Sequence, residues 1–334
     1  MAERPRVPPG VLTPVVRRQR GRPARTGVVL LVAAAAATAG VIALLLFEHD
    51  SSRHLAAVSQ RPPKAHAKPR RSILKPGFAS LVGPPLSARL LSPPVRARAA
   101  IVIDDRSGRV LWAFHPHRRL PIASTTKIMT AYVALPRLRA NALVRVAPAV
   151  TRVPLVKEGL RPHERVRAWK LFRGMLIYSG NDDALALAMA AASSRSAFVR
   201  LMNETARRLG LMNSHFSTPS GVIDAGNYSS AWDLATLTRV ALRNERFRRI
   251  VRTRIARIPW SPPTYAKVYV NKNPLLGTYK GANGVKTGWT TLAGHCLVAS
   301  ATRHGRTIIV VLLHDARADR DARRLLDLGF ATRA

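Results

Sequence analysis

The first strong hydrophobic feature of the chain is an uncharged run at residues 28–47, VVLLVAAAAATAGVIALLLF. Twenty residues at helical rise cover about 30 Å, the depth of a bilayer's hydrocarbon core, so the run predicts a membrane span. Arg17, Arg18, Arg20, Arg22 and Arg25 precede it, whereas Glu48 and Asp50 follow. That asymmetry predicts a cytoplasmic basic segment at residues 1–27 and places everything beyond the span outside. A cleaved signal peptide is the alternative, but its apolar region runs to about 7–15 residues, so the length favours an uncleaved anchor. Residues 48–98 lose apolar periodicity and are rich in Pro, Arg and Ser, as in RPPKAHAKPRR, GPPL and SPPV. Proline lacks an amide donor and disfavours helix at the residue before it, so this stretch predicts an extended linker.

From Ala99 the pattern becomes that of a folded domain, residues 99–334. AAIVIDDRSGRVLWAF reads as two strands around a turn containing Asp105, Ser107 and Gly108. Between Ser124 and about Arg249, apolar residues recur at three- and four-residue spacing in TTKIMTAYVAL, AWKLFRGMLIY, DDALALAMAAA, AFVRLMNETARRLG and AWDLATLTRVAL, which predicts a helical block. GVKTGW, HCLVASAT and TIIVVLLH then predict a meander of three strands, and DARRLLDLGF a closing helix. Strands at both ends with helices between them give the expected fold class: α+β, an antiparallel sheet assembled from both chain ends around a helical insertion.

Composition narrows the chemistry. The chain holds 55 Lys+Arg against 17 Asp+Glu, a formal net charge of +38, and the excess runs through the linker and the domain alike. Such a field draws the protein toward anionic lipid or anionic wall polymer. Aromatic residues are only 6% of the chain, too few for the interleaved basic and stacking positions of a nucleic-acid surface, so no nucleic-acid partner is expected. Cys296 is the only cysteine, which excludes an intrachain disulfide and reads as a small buried hydrophobe. His115 and His117 flank Pro116 in an exposed loop. H-E-x-x-H, G-x-S-x-G, paired cysteines and a glycine-rich phosphate loop are all missing from the sequence, and no metal or organic cofactor is implied.

Three short segments carry candidate chemistry. In Ser124-Thr125-Thr126-Lys127, residues three apart are neighbours on a helix, so the Lys127 amine can sit beside the Ser124 hydroxyl. A serine needs an adjacent base to become a nucleophile, and an amine serves once burial and cationic neighbours depress its pKa. Alone, the pattern is weak, and a helix cap followed by a solvated lysine is its ordinary reading. Ser179-Gly180-Asn181 lies between two apolar helices, where a sharp turn at Gly180 can project a hydroxyl and an amide into a cleft; a plain interhelical turn is the bland alternative. Lys286-Thr287-Gly288 lies in a strand, where main-chain pairing can hold an extended peptide and Gly288 permits close approach; the alternative is an edge lysine that blocks aggregation. All three together, on helix, turn and strand in this order, point to one site.

That trio resembles the S-x-x-K, S-x-N and K-T-G set of penicillin-recognising serine enzymes. The surrounding LPIASTTKIMTAY, LIYSGNDDALALA, LMNETARRLGL, YSSAWDLA and GVKTGWTTLAGHCLVASA is similar to the D-alanyl-D-alanine carboxypeptidases, the S11 serine peptidases and low-molecular-mass penicillin-binding proteins, over about residues 99–330. The resemblance implies the DD-peptidase/β-lactamase-like fold and an acyl-enzyme that removes the terminal D-alanine of peptidoglycan stem peptides and binds β-lactams. It implies Ser124 as nucleophile, Lys127 as general base, Ser179 as proton shuttle and Asn181 as holder of the substrate backbone. Lys286 and Thr287 would engage the terminal carboxylate, with Gly288 giving room. The backbone amides of Ser124 and Trp289 would form the oxyanion hole. Members often carry a further β-rich domain and a C-terminal amphipathic anchor, whereas here anchoring is expected of the N-terminal span, making the protein a single-pass membrane protein. The residue after K-T-G is Trp289, a departure that leaves its side-chain role open. DD-endopeptidase activity uses the same residues. A β-lactamase would want a deacylating glutamate on a loop after the second motif; the only glutamate soon after Asn181, Glu204, falls in a predicted helix and reads as exposed. A non-catalytic wall-binding module has no need of the full trio.

Overall fold

A computed structural model of the chain describes residues 95–222, 226–260 and 265–332. The predicted basic segment, the span at 28–47 and the linker as far as residue 94 lie outside the described residues. Among the described residues no single helix is long and apolar enough to cross a membrane.

The chain begins with the expected hairpin, β1 (Ala99–Asp104) and β2 (Val110–Phe114), and continues through β3 (Leu120–Pro121) and a 3-10 turn at Ala123–Thr126 into helix α1 (Lys127–Ala134). A small pair, β4 (Leu143–Arg145) and β5 (Arg165–Arg167), precedes α2 (Ala168–Arg173), a π-helical turn (Gly174–Tyr178), α3 (Asn181–Ala191) and α4 (Arg195–Arg208). After β6 (Tyr228–Ser229) come α5 (Ala231–Ala241) and α6 (Glu245–Val251), then a second hairpin, β7 (Ile255–Ile258) and β8 (Lys267–Val270). The predicted meander follows as β9 (Ala282–Thr290), β10 (Gly294–Arg303) and β11 (Arg306–Leu313), with α7 (Ala318–Ala331) closing the domain.

The main sheet has five antiparallel strands in the order β2-β1-β11-β10-β9, so strands from both ends of the domain form one layer, as expected. Both faces are covered. Ile101, Ile103, Val298, Ile309, Val311 and Leu313 point into the core shared with the helical block. Their neighbours Ala100, Val102, Leu297, Ala299, Val310 and Leu312 point at α7. Burial on two faces is why TIIVVLLH reads as a continuous apolar run rather than an alternating one. Gly329 of α7 lets that helix lie close, because a Cβ there would come within 2.6 Å of Ile308 Cγ2 and 3.0 Å of Val102 Cγ1.

In the helical block, α1 is enclosed by its neighbours, with Ile128, Met129, Ala131, Val133 and Ala134 all buried. Side chains of Ser194, Ser230 and Asn244 cap α4, α5 and α6 by accepting the amides of Ala197, Asp233 and Phe247, each at 3.1 Å.

Packing starts earlier than the boundary at Ala99: Ala97 is buried, Arg96 N donates to Asp321 Oδ2 (2.9 Å) and Arg98 N to Leu313 O (2.9 Å). In the β1–β2 turn the organising acceptor is Asp104, not Asp105. Asp104 Oδ1 takes the Ser107 amide (2.9 Å) and hydroxyl (3.0 Å), and Gly108 supplies the positive φ of 77°. Cys296 is buried, His115 and His117 are exposed, and Glu204 is exposed on α4.

Candidate active site

The Ser124 turn is held from both sides. Upstream, β3 pairs with β6 (Leu120 with Ser229, Pro121 with Tyr228), and Thr125 donates its amide (3.1 Å) and hydroxyl (2.6 Å) to Ile122 O. Ala123 adopts a left-handed φ of 46°, a conformation that costs a non-glycine residue about 1–2 kcal/mol and persists only where the surroundings impose it. The backbone thus turns sharply just before Ser124. The hydroxyl does not cap the helix; it accepts a hydrogen bond from Lys127 Nζ at 2.8 Å.

Lys127 is fully buried. Its ammonium also donates to Asn181 Oδ1 (2.8 Å) and to the Ser220 carbonyl (3.0 Å), so all three N–H groups are used. Burial pushes its pKa well below the ordinary lysine value, the positive charges of Lys286 and Lys272 push the same way, and Asp183 and Asp182 oppose them. An amine so depressed can stand neutral and accept a proton from the serine it touches.

The Ser179–Asn181 turn differs from the expected one. The left-handed residue is Ser179 (φ 75°, ψ 31°), where the π-helical turn ends, whereas Gly180 is extended at φ −59°, ψ 130°. Gly180 is required for space: a Cβ there would lie 2.0 Å from Asp183 Oδ2. Ser179 lines the cleft. Asn181, expected as a substrate contact, is buried and engaged internally: Oδ1 holds Lys127, Nδ2 donates to Pro154 O (3.0 Å) and the backbone amide to Val156 O (2.9 Å).

Strand β9 brings the third segment alongside. At Gly288 a Cβ would sit 2.9 Å from Ile122 O and 3.0 Å from Ser124 N, so only glycine lets the strand run this close to the serine turn. Thr287, Gly288 and Trp289 line a cleft of about 450 Å³ together with Ser124, Ser179, Val156 and Lys272. Trp289 is 59% exposed, its ring 6.2 Å from that of His295. Lys286 lies beneath the wall, 2% exposed, and donates to Thr287 O at 2.9 Å; burial, with help from the Lys272 charge, brings its pKa down to about 7.

The sequence pattern did not single out Lys272. It stands between Asn271, which donates to Val251 O (3.3 Å) and Thr253 O (3.0 Å), and Asn273, whose Oδ1 accepts the Leu275 amide (3.1 Å). The flanking asparagines fix an irregular loop and leave the lysine facing the cleft, a signal visible only as N-x-N ahead of the K-T-G strand. The Ser220 carbonyl left no signal at all. Asp182 was legible only as part of NDD; it accepts the amides of Glu158 (2.8 Å), Gly159 (2.8 Å) and Leu160 (3.1 Å), tying the 154–160 loop to the turn.

A hydroxyl bonded to a buried amine, flanked by a turn hydroxyl, a strand free to pair with a peptide and two further lysines, can acylate itself with a peptide that bears a free carboxylate. The family model described as D-alanyl-D-alanine carboxypeptidase matches residues 87–317. The chain is 33% identical over 244 residues to the D-alanyl-D-alanine carboxypeptidase DacF of Bacillus subtilis, covering 70% of this chain but only 62% of that protein. It is 31% identical over 276 residues to the D-alanyl-D-alanine carboxypeptidase of Streptomyces sp. strain K15, covering 76% of this chain and 94% of the relative. Among solved structures, the D-alanyl-D-alanine carboxypeptidase of Mycobacterium tuberculosis superposes with a TM-score of 0.70 at 32% identity, covering 75% of this chain and 96% of that one. The Streptomyces K15 DD-transpeptidase gives 0.69 at 31% identity, covering 73% and 100%. The α+β domain is thus the DD-peptidase fold, and the chain belongs to the D-alanyl-D-alanine carboxypeptidase family, the S11 peptidases.

Proposed function

We propose that the protein is a serine-type D-Ala-D-Ala carboxypeptidase of peptidoglycan stem peptides, acting through an acyl-enzyme on Ser124. The observation that carries this is the 2.8 Å contact between Ser124 Oγ and the buried, pKa-depressed Lys127 amine at the edge of the cleft. Neutral Lys127 takes the Ser124 proton as Oγ attacks the penultimate D-alanine carbonyl. The backbone amides of Ser124 and Trp289 receive the oxyanion. Ser179 relays a proton to the departing D-alanine amine, and water then releases the shortened peptide. Asn181 keeps Lys127 aimed, while Lys286, Thr287 and Lys272 favour the terminal carboxylate. A β-lactam presents the same carboxylate and acyl carbonyl and is trapped as an ester.

Covalent labelling tests this: wild type takes up a fluorescent penicillin and releases D-alanine from a muramyl pentapeptide, and Ser124→Ala does neither. Persistent labelling of the variant removes Ser124 from the mechanism. Transfer of the acyl group to an amine is a second reading, favoured by the full-length match to a DD-transpeptidase; an added amine acceptor that captures the peptide in place of water decides for it. Cleavage of cross-linked dimers without D-alanine release makes the enzyme an endopeptidase.

The same proposal assigns residues 28–47 to a membrane anchor, the stretch from 48 to about 95 to a linker and the rest of the chain to an extracytoplasmic catalytic domain. The uncharged run, the arginines ahead of it and the basic excess support adsorption to anionic lipid or wall polymer.

A further inference from the structure

Behind the Ser179–Asn181 turn lie three buried carboxyl groups. Asp182 is satisfied by backbone amides. Asp183 is not: it is fully buried, and neither of its oxygens receives a hydrogen bond. Glu158 Oε2 is likewise buried without a donor, while Oε1 accepts the Tyr269 hydroxyl and pairs with the Lys267 ammonium at 2.7 Å.

These oxygens converge. A methyl group built on Gly174 would lie 2.4 Å from Asp183 Oδ2 and 2.5 Å from Glu158 Oε2, so both flank one point. Two carboxylates meeting away from water repel strongly, and among the described residues only one cation, Lys267, pairs with them. A hydroxyl on Asp183 donating to Glu158 Oε2 removes the repulsion, gives Glu158 Oε2 the donor it lacks and engages the Asp183 oxygen that carries the proton.

We infer that Asp183 and Glu158 form an acid–carboxylate pair bridged by one proton, and that this bridge positions Ser179 and Asn181 at the cleft. Glu158 rides on the 154–160 loop, whose Pro154 and Val156 carbonyls accept from Asn181 and whose Val156 lines the cleft. The Asp183 carboxyl rests against Gly180. Lys267 and Tyr269 carry the tie to β8, and Lys267 also donates to Glu158 O at 2.8 Å. The groups facing the pair are therefore Asp182 on α3, Lys267 and Tyr269 on β8, and Lys127 on α1. Burial first, then the charges of Glu158 and Asp182, hold the Asp183 pKa well above the ordinary carboxyl value. The bridge also limits the negative charge behind Lys127, since an ionised Asp183 would raise the amine's pKa and make it a worse acceptor of the Ser124 proton.

The inference rests on Ser124 and Lys127 as the acylating pair, and its test separates the two. In the resting full-length protein at neutral pH, infrared difference spectra between wild type and Asp183→Asn should show a protonated carboxyl C=O band that only wild type has. Asp183→Ala should lower penicillin acylation by on the order of tenfold to a hundredfold, the scale of a small misplacement of reacting groups. Asp183→Asn, a neutral donor of the same shape, should restore most of it. The folded wild type keeps a proton that the unfolded chain releases above pH 3.8, so its stability falls as pH rises toward the native pKa; the Asn variant should lack that slope. An absent acid band, an Asn variant as slow as the Ala variant, or equal pH slopes would overturn the bridge. The band is read without turnover, so a wild type that shows it yet takes no penicillin supports the bridge and refutes the acylation reading.

Discussion

Replacing Lys286 by methionine should make the protein more stable and less active. The lysine is 2% exposed, and its pKa falls from 10.5 to about 7, first through burial and then through Lys272. The unfolded chain therefore holds a proton across the pH 7–10.5 window that the folded chain has given up, so burying this amine penalises folding fully below pH 7 and hardly at all above 10.5. At about 1.4 kcal/mol per pH unit, the penalty near pH 7 is roughly 4 kcal/mol. Methionine matches the length of the stem and carries no charge; it forgoes the hydrogen bond to Thr287 O, worth ~1 kcal/mol. The net gain of about 3 kcal/mol corresponds to a melting temperature higher by roughly 6–12 °C for a domain of this size. Thermal melts from pH 6 to pH 10 check it: the gap should be widest at the acid end and close near pH 10. Penicillin acylation measured at pH 6, where the folded protein keeps Lys286 charged, should meanwhile fall roughly tenfold or more as the carboxylate loses that partner. A variant that melts below wild type at pH 6–7, or a gap that does not narrow with pH, would refute the reasoning.

Gly288→Ala sets a methyl against the backbone at Ile122 O and Ser124 N, and neither can swing aside as a side chain would. Strand or turn must shift by tenths of an ångström at the oxyanion donor, so acylation should fall toward the ~10²-fold loss seen when such a donor is removed; stopped-flow penicillin binding at the wild-type rate would contradict this. A reporter enzyme active only outside the cytoplasm, fused after Arg98, should be active, and one active only inside should be silent; the reverse pattern would invert the topology read from the arginines.

The hydrophobic pattern carried the architecture because the main sheet is buried on both faces and α1 on all sides, so apolar runs and periodicity were strong. Ser124 and Lys127 were legible because their pairing is local, one turn of helix. Gly288 was legible too, since a glycine within an otherwise regular strand signals close approach. The role of Gly180 is not legible, because two reasons for glycine, positive φ and lack of space, look identical in sequence; the turn uses Ser179 for the first. Asn181 turned inward because its partners, Lys127 and Pro154, come from separate segments. The β7–β8 hairpin and Lys272 lie in an interval of loops without periodicity, which leaves no pattern in the sequence. Glu158 and Asp183 stand 25 positions apart, and nothing local announces that their carboxyls meet.

The pairing of β1 with β11 joins Ala99 to Leu313 and Asp104 to Ile308. The loop those contacts close contains nearly the whole domain, and its closure entropy must be met before the sheet gains anything. The helical block, rich in neighbour contacts, can collapse early, but the cleft cannot form with it, because β9 reaches Ser124 only as part of the finished sheet. Competence to react should therefore be the last property acquired during refolding, appearing after helical signal has recovered, and a chain stopped short of β11 should hold helices without ever capturing penicillin.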